Sequence, residues 1–160
     1  MKHCKKETEN GECQLATFAM LFDIEYEEIR RIVREELGIK NWINLTFFPD
    51  RFFETIERLL TLIAPPEIRD WYKDIREAAN FETVFSSSFK ETKPPDLSGK
   101  GQLSIIWLPG FQGHAAAYED GWIYDPDMPE PLTWQDWYKA VSHKGARIQF
   151  LTTHPLPEVT

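Results

Sequence analysis

The chain has 160 residues, 42% apolar and 14% aromatic, enough for one domain with a bulky core. Its formal charge of −8 argues against a nucleic-acid backbone or an anionic membrane as partner, because both select basic surfaces. It lacks an apolar run of membrane-spanning length, and the charged start Met1-Lys2-His3-Cys4-Lys5-Lys6 lacks the apolar stretch of a secretory signal, so the expectation is a cytoplasmic protein with reduced cysteines.

The first half reads as helices. Leu15, Phe18, Ala19 and Phe22 fall at helical spacing in a first helix starting near Glu12, with Asn10 as its candidate N-cap. A second helix runs from about Tyr26 to Leu37, with Ile29, Ile32 and Val33 inward and Gly38 as its stop. Arg30, Arg31 and Arg34 read as its solvated face. Residues 41–48 read as a connector. Pro49 opens a third helix, and Pro65-Pro66 separates it from a fourth over about Glu67 to Ala79.

Residues 86–101, with four serines, two prolines and two glycines, read as a mobile linker. The period then changes. Leu103 to Leu108 is nearly all apolar, as in a strand buried on both faces. His114 to Glu119 and Trp122 to Asp125 flank Asp120-Gly121, a two-residue hairpin signal. Thr133-Trp134-Gln135-Asp136 resembles a capping box opening a helix to about Ser142. A last strand spans Ala146 to Thr152, and His154 to Thr160 reads as a frayed end. The expected class is α+β, one domain over 1–160: a helical lobe over about 10–80 packed on an antiparallel sheet over about 102–153.

Cys13 carries the first chemical signal. It follows the turn Asn10-Gly11-Glu12 and enters a helix, where amide N–H groups and the helix dipole favour a thiolate nucleophile. The hairpin supplies a base. With Asp120-Gly121 as the loop, Ala116 faces Asp125. His114 then lies on the face of Asp125, as its diagonal neighbour about 7–8 Å away, close enough for one hydrogen bond between side chains. Asp127 would face His114 directly if the ladder continued, but Pro126 lacks an N–H, which favours Asp125. Ala115, Ala116 and Ala117 leave room beside the histidine, with the first helix as the candidate neighbour. The order Cys13, His114, Asp125 fits a cysteine-nucleophile triad. Metal-ligand spacings and nucleotide-binding glycine loops do not occur, so neither a metal nor another cofactor is expected. Cys4, on a basic and mobile N-terminus, has no assigned role.

Cys13-Gln14-Leu15-Ala16-Thr17-Phe18-Ala19-Met20-Leu21, followed by Tyr26-Glu27-Glu28-Ile29, resembles the opening of C39-type, papain-like cysteine peptidases. Gly113-His114-Ala115 and Ile123-Tyr124-Asp125-Pro126 resemble that family's His-Ala-Val and Tyr-Asp-Pro segments. The resemblance covers about a third of the chain and leaves residues 41–101 unmatched. It implies a papain-like fold with the site between two lobes, and metal-free cleavage of a peptide or protein amide through a thioester. Cys13 is then the nucleophile, His114 the base and Asp125 its orienter.

Two positions depart from the family pattern. Glu7 stands where the family carries a glutamine whose amide donates to the oxyanion, and a carboxylate cannot donate. Losing one such donor costs about 10²–10³ in rate. Gln14 replaces the glycine after the cysteine and is a candidate substitute donor at the cleft. The expectation is a thiol hydrolase. The alternatives are a degenerate domain that binds peptide or protein without cutting, and a cysteine transferase or deamidase.

Overall fold

The computed structural model describes residues 1–5, 11–90 and 93–158. Glu7 and Asn10, named above as an oxyanion candidate and an N-cap, lie outside the described residues. The fold is mixed: helices fill the N-terminal part and a five-stranded antiparallel sheet the C-terminal part.

Among the described residues, six helices come first: α1 Cys13–Phe22, α2 Tyr26–Glu35, α3 Trp42–Leu45, α4 Pro49–Ile63, α5 Pro66–Ala78 and α6 Phe81–Ser86. Pro49 and Pro66 each sit at the start of a helix, where a missing N–H costs nothing. The helices surround a core in which Phe18 meets Tyr72 edge-on, with Leu15, Ile29, Ile56, Leu59 and Leu60 buried around them. The expected connector at 41–48 contains α3, started by Asn41, whose side chain accepts from the Asn44 N–H. α6 is likewise capped by Asn80.

The sheet runs β4-β3-β2-β1-β5, from β1 Lys100–Leu108, β2 Gln112–Glu119, β3 Trp122–Tyr124, β4 Leu132–Thr133 and β5 Arg147–Pro155. Helix α7, Trp134–His143, covers one face, with Thr133 as its N-cap accepting from the Asp136 N–H. The β2–β3 hairpin has the expected register, Ala117 opposite Tyr124 and Glu119 opposite Trp122. Asp120 and Gly121 both take positive φ, as the tight turn requires.

Three segments expected to be mobile or frayed are fastened instead. In the 86–101 segment, Leu97 is buried, Phe89 N–H donates to Gln149 O at 3.1 Å, and Gly121 N–H donates to Leu97 O at 2.9 Å. β5 continues through His154 to Pro155 because β1 begins at Lys100 and supplies its partners. At the N-terminus, His3 reaches the carbonyl of Asp125 at 2.9 Å and Cys4 packs against the helical core.

Alternation divides the three alanines of β2. Ala117 faces the helical core, whereas Ala116 faces the second cluster with Ile123, Trp137 and Val141. α1 therefore packs on the Ala117 face, and it is its first residue, Cys13, that meets the histidine.

Candidate functional site

β2 delivers His114 and the end of β3 delivers Asp125. β3 pairing stops at Tyr124, and Pro126 follows Asp125. Asp125 Oδ1 then accepts the Asp127 N–H at 2.9 Å, and its carbonyl accepts the Met128 N–H at 3.0 Å. This aspartate turn holds the carboxylate in place. His114 Nε2 lies 2.8 Å from Asp125 Oδ1. The other oxygen, Oδ2, accepts the indole N–H of Trp137 at 2.8 Å. Asp125 is 1% exposed, so a carboxylate there must be fully satisfied, and three donors achieve this.

With Nε2 donating to the carboxylate, Nδ1 is the outward nitrogen. Cys13 is close enough to the imidazole to act on its protonation. Cys13 stands at the first position of α1, at the positive end of the helix. Asp127 Oδ2 also lies near, 3.8 Å from Nδ1, on a side chain 42% exposed. Trp107 covers the imidazole with ring centroids 6.0 Å apart, and Trp137 follows 5.9 Å beyond it.

The electrostatics follow from these contacts. Burial disfavours the His114 imidazolium, but the charge and hydrogen bond of Asp125, joined by the hydrogen bond and charge of Cys13, hold its pKa well above the ordinary histidine value. Burial also disfavours the Asp125 carboxylate; the charge and hydrogen bond of His114, with the Trp137 indole and the Asp127 N–H, outweigh it and keep that carboxyl below the usual range. Cys4 differs. Burial first, then Glu25 and Glu27, push its thiol up, as in an inert cysteine.

The turn into α1 is braced on both sides. Gly11 has φ +72°, and a Cβ built there would approach Ile43 Cγ1 at 3.4 Å. Glu12, 6% exposed, accepts from Tyr26 Oη at 2.8 Å and Arg30 Nε at 3.0 Å. Arg30 is thus turned inward at its tip, and Arg31 is paired with Glu28 and Glu35, so these two arginines are neutralised by carboxylates.

Gln14 corrects an expectation. Its side chain does not line the cleft: it is 5% exposed, donates to Gln102 Oε1 at 2.7 Å, and accepts from Gln102 Nε2 at 3.0 Å and Tyr72 Oη at 3.2 Å. Its amide is spent inside the seam between α1 and β1 and is no donor for an oxyanion. Trp137, Trp107 and Glu12 join the site without any local sequence signal beyond the need of a buried indole N–H for an acceptor.

Among the described residues, the one group spaced to hold a metal is His114, Asp125 and Asp127, with ligand atoms within 4.8 Å of one another. Both Asp125 oxygens already accept hydrogen bonds from His114, Asp127 and Trp137, so a cation would have to break that set. No described helix is long and apolar enough to cross a membrane. Comparison with known proteins gave no matching family model, no matching curated protein and no matching solved structure.

Proposed function

We propose that this protein is a thiol-dependent amide hydrolase of the C39-like, papain-like kind, acting on a peptide or protein without metal or other cofactor. One observation supports the reading: His114 Nε2 lies 2.8 Å from the Asp125 carboxylate, and Cys13, at the mouth of α1, is among the groups that hold the imidazole's pKa up. In this scheme Cys13 passes its proton to His114 Nδ1, and the thiolate attacks the amide carbonyl. The backbone amides of the first turn of α1 face the developing oxyanion. His114 then gives the proton to the departing amine, leaving a thioester. Water, deprotonated by the same imidazole, releases the acid and restores the thiol. Asp125 keeps Nδ1 turned toward the sulfur throughout.

The test compares iodoacetamide labelling of Cys13 and Cys4 by peptide mass mapping, then screens a peptide library for products. Cys13 should label faster near neutral pH, and His114→Ala should abolish the difference. Equal labelling of the two cysteines, unaffected by His114→Ala, would sink the proposal. Product masses separate cleavage from deamidation or acyl transfer.

A second reading has its own support. With its amide committed to Gln102, Gln14 does not stand in for the family's oxyanion donor. A domain that holds peptides in the cleft without cutting fits that deficit. It predicts saturable peptide binding with no product, in a protein whose Cys13 is still activated.

A further inference from the structure

We infer that Arg30 of α2 keeps the Glu12 carboxylate turned away from the N-terminus of α1, and so reserves that end of the helix for the Cys13 thiolate. The inference rests on the hydrolase reading and names a positioning residue outside the triad. Glu12 immediately precedes Cys13 and is the N-cap residue of α1. An acidic side chain at that place is drawn to the first amide N–H groups and to the positive end of the helix. Glu12 forms no such cap: its side chain accepts no hydrogen bond from the first turn of α1. Its Oε1 accepts instead from Arg30 Nε at 3.0 Å and from Tyr26 Oη at 2.8 Å, both on α2, and the side chain is 8% exposed.

Arg30 supplies the charge in this arrangement. Its guanidinium lies 5.6 Å over the Tyr26 ring, and its Nη1 reaches Glu27 at 3.2 Å, so the group is held in place while Nε points at Glu12. Neighbouring residues keep their side-chain charges within about 12 Å of each other. A buried carboxylate that close opposes ionisation of the thiol, and a cation paired with it offsets the opposition. The other titratable groups that face Cys13 are His114 from β2, with Asp125 and Asp127 beside it, and Tyr72 from α5. None of these belongs to α2, so a change at Arg30 reaches Cys13 through Glu12.

The experiment separates charge from bracing. The full chain and its variants are alkylated with iodoacetamide over a pH series, and modification of Cys13 is followed by peptide mass mapping with Cys4 as the internal reference. Arg30→Gln should slow Cys13 about threefold to fivefold on the rising limb of the profile, and Arg30→Lys should recover part of the loss. The double variant Glu12→Gln/Arg30→Gln removes both charges and should return the rate close to that of the wild type, whereas a brace acting by shape alone would leave it slow. Glu12→Gln by itself keeps an acceptor oxygen and should quicken Cys13, which tests the inference without any change at Arg30. An unchanged rate in Arg30→Gln, a double variant as slow as the single one, or a Glu12→Gln rate no higher than wild type overturns the inference. Peptide products are assayed in parallel. If Arg30→Gln slows alkylation but no variant and no wild-type sample yields product, the hydrolase reading fails while the role of Arg30 stands. If wild type and Arg30→Gln cut peptides and alkylate equally well, the inference fails while hydrolysis stands.

Discussion

Gln14 and Gln102 exchange two amide hydrogen bonds, at 2.7 and 3.0 Å, across the seam where α1 meets β1. Both side chains are buried, Gln102 at 1% exposure. The pair ties the residue next to Cys13 to β1, the strand beside His114's own. Gln14→Leu should cost about 1–3 kcal/mol, because it strands the Gln102 amide in an apolar seam. Replacing both by leucine should recover most of that loss. Urea denaturation of the two single variants and the double variant checks this, and equal or additive losses would contradict it.

Stability should depend on pH through His114 and Asp125, with opposite signs. The Asp125 contribution is present above the ordinary aspartate range and is lost as pH falls through its depressed folded value. The His114 contribution is present below the ordinary histidine value and is lost as pH rises through its elevated folded value. Both act together between about pH 4 and pH 6.5, so the urea midpoint should be highest there. Asp125→Asn should flatten the profile and cost about 3 kcal/mol at its maximum, since it leaves a buried partner uncompensated. A wild-type profile that is flat across this range would rule out the coupling.

Trp137→Phe should weaken the site without touching it. The change keeps the ring but removes the 2.8 Å hydrogen bond to Asp125 Oδ2. A hydrogen bond to a charged group contributes about 1.5–3 kcal/mol, and the fold should lose that much. The acid midpoint for Cys13 alkylation should shift upward, since a carboxylate less well held supports the imidazolium less. A stability loss with an unmoved alkylation profile would show that the indole serves packing alone.

Gly101→Ala should destabilise the sheet. A Cβ there would meet Tyr118 Oη at 2.5 Å, Pro155 Cα at 2.7 Å and the His154 carbonyl. Backbone on one side cannot yield as a side chain can, so the cost should be about 1–3 kcal/mol. Thermal denaturation measures it, and an unchanged midpoint would mean that β5 is free to move away.

The hairpin and its histidine–aspartate diagonal were legible because they follow from short-range rules. Asp120-Gly121 sets the turn, the turn sets the register, and alternation puts His114 and Asp125 on one face. The long amphipathic helices were legible for the same reason. α3 and α6 were not, since four and six residues are too few to display a period; only their asparagine caps mark them. The role of Gln14 was hidden differently. Its partner lies 88 positions away, and no local pattern encodes such a meeting. The docked N-terminus escaped notice because a basic, charged segment carries no apolar signature, yet His3 finds a main-chain acceptor.

Asp125 gathers His114 from β2 and Trp137 from α7 at its carboxylate, and His3 at its main-chain carbonyl. On the ribosome, Cys13 emerges long before any of its helpers has been made. On the proposed scheme the nascent chain carries only an ordinary thiol until α7 leaves the exit tunnel, and synthesis of the segment from β2 to α7 is what would arm it.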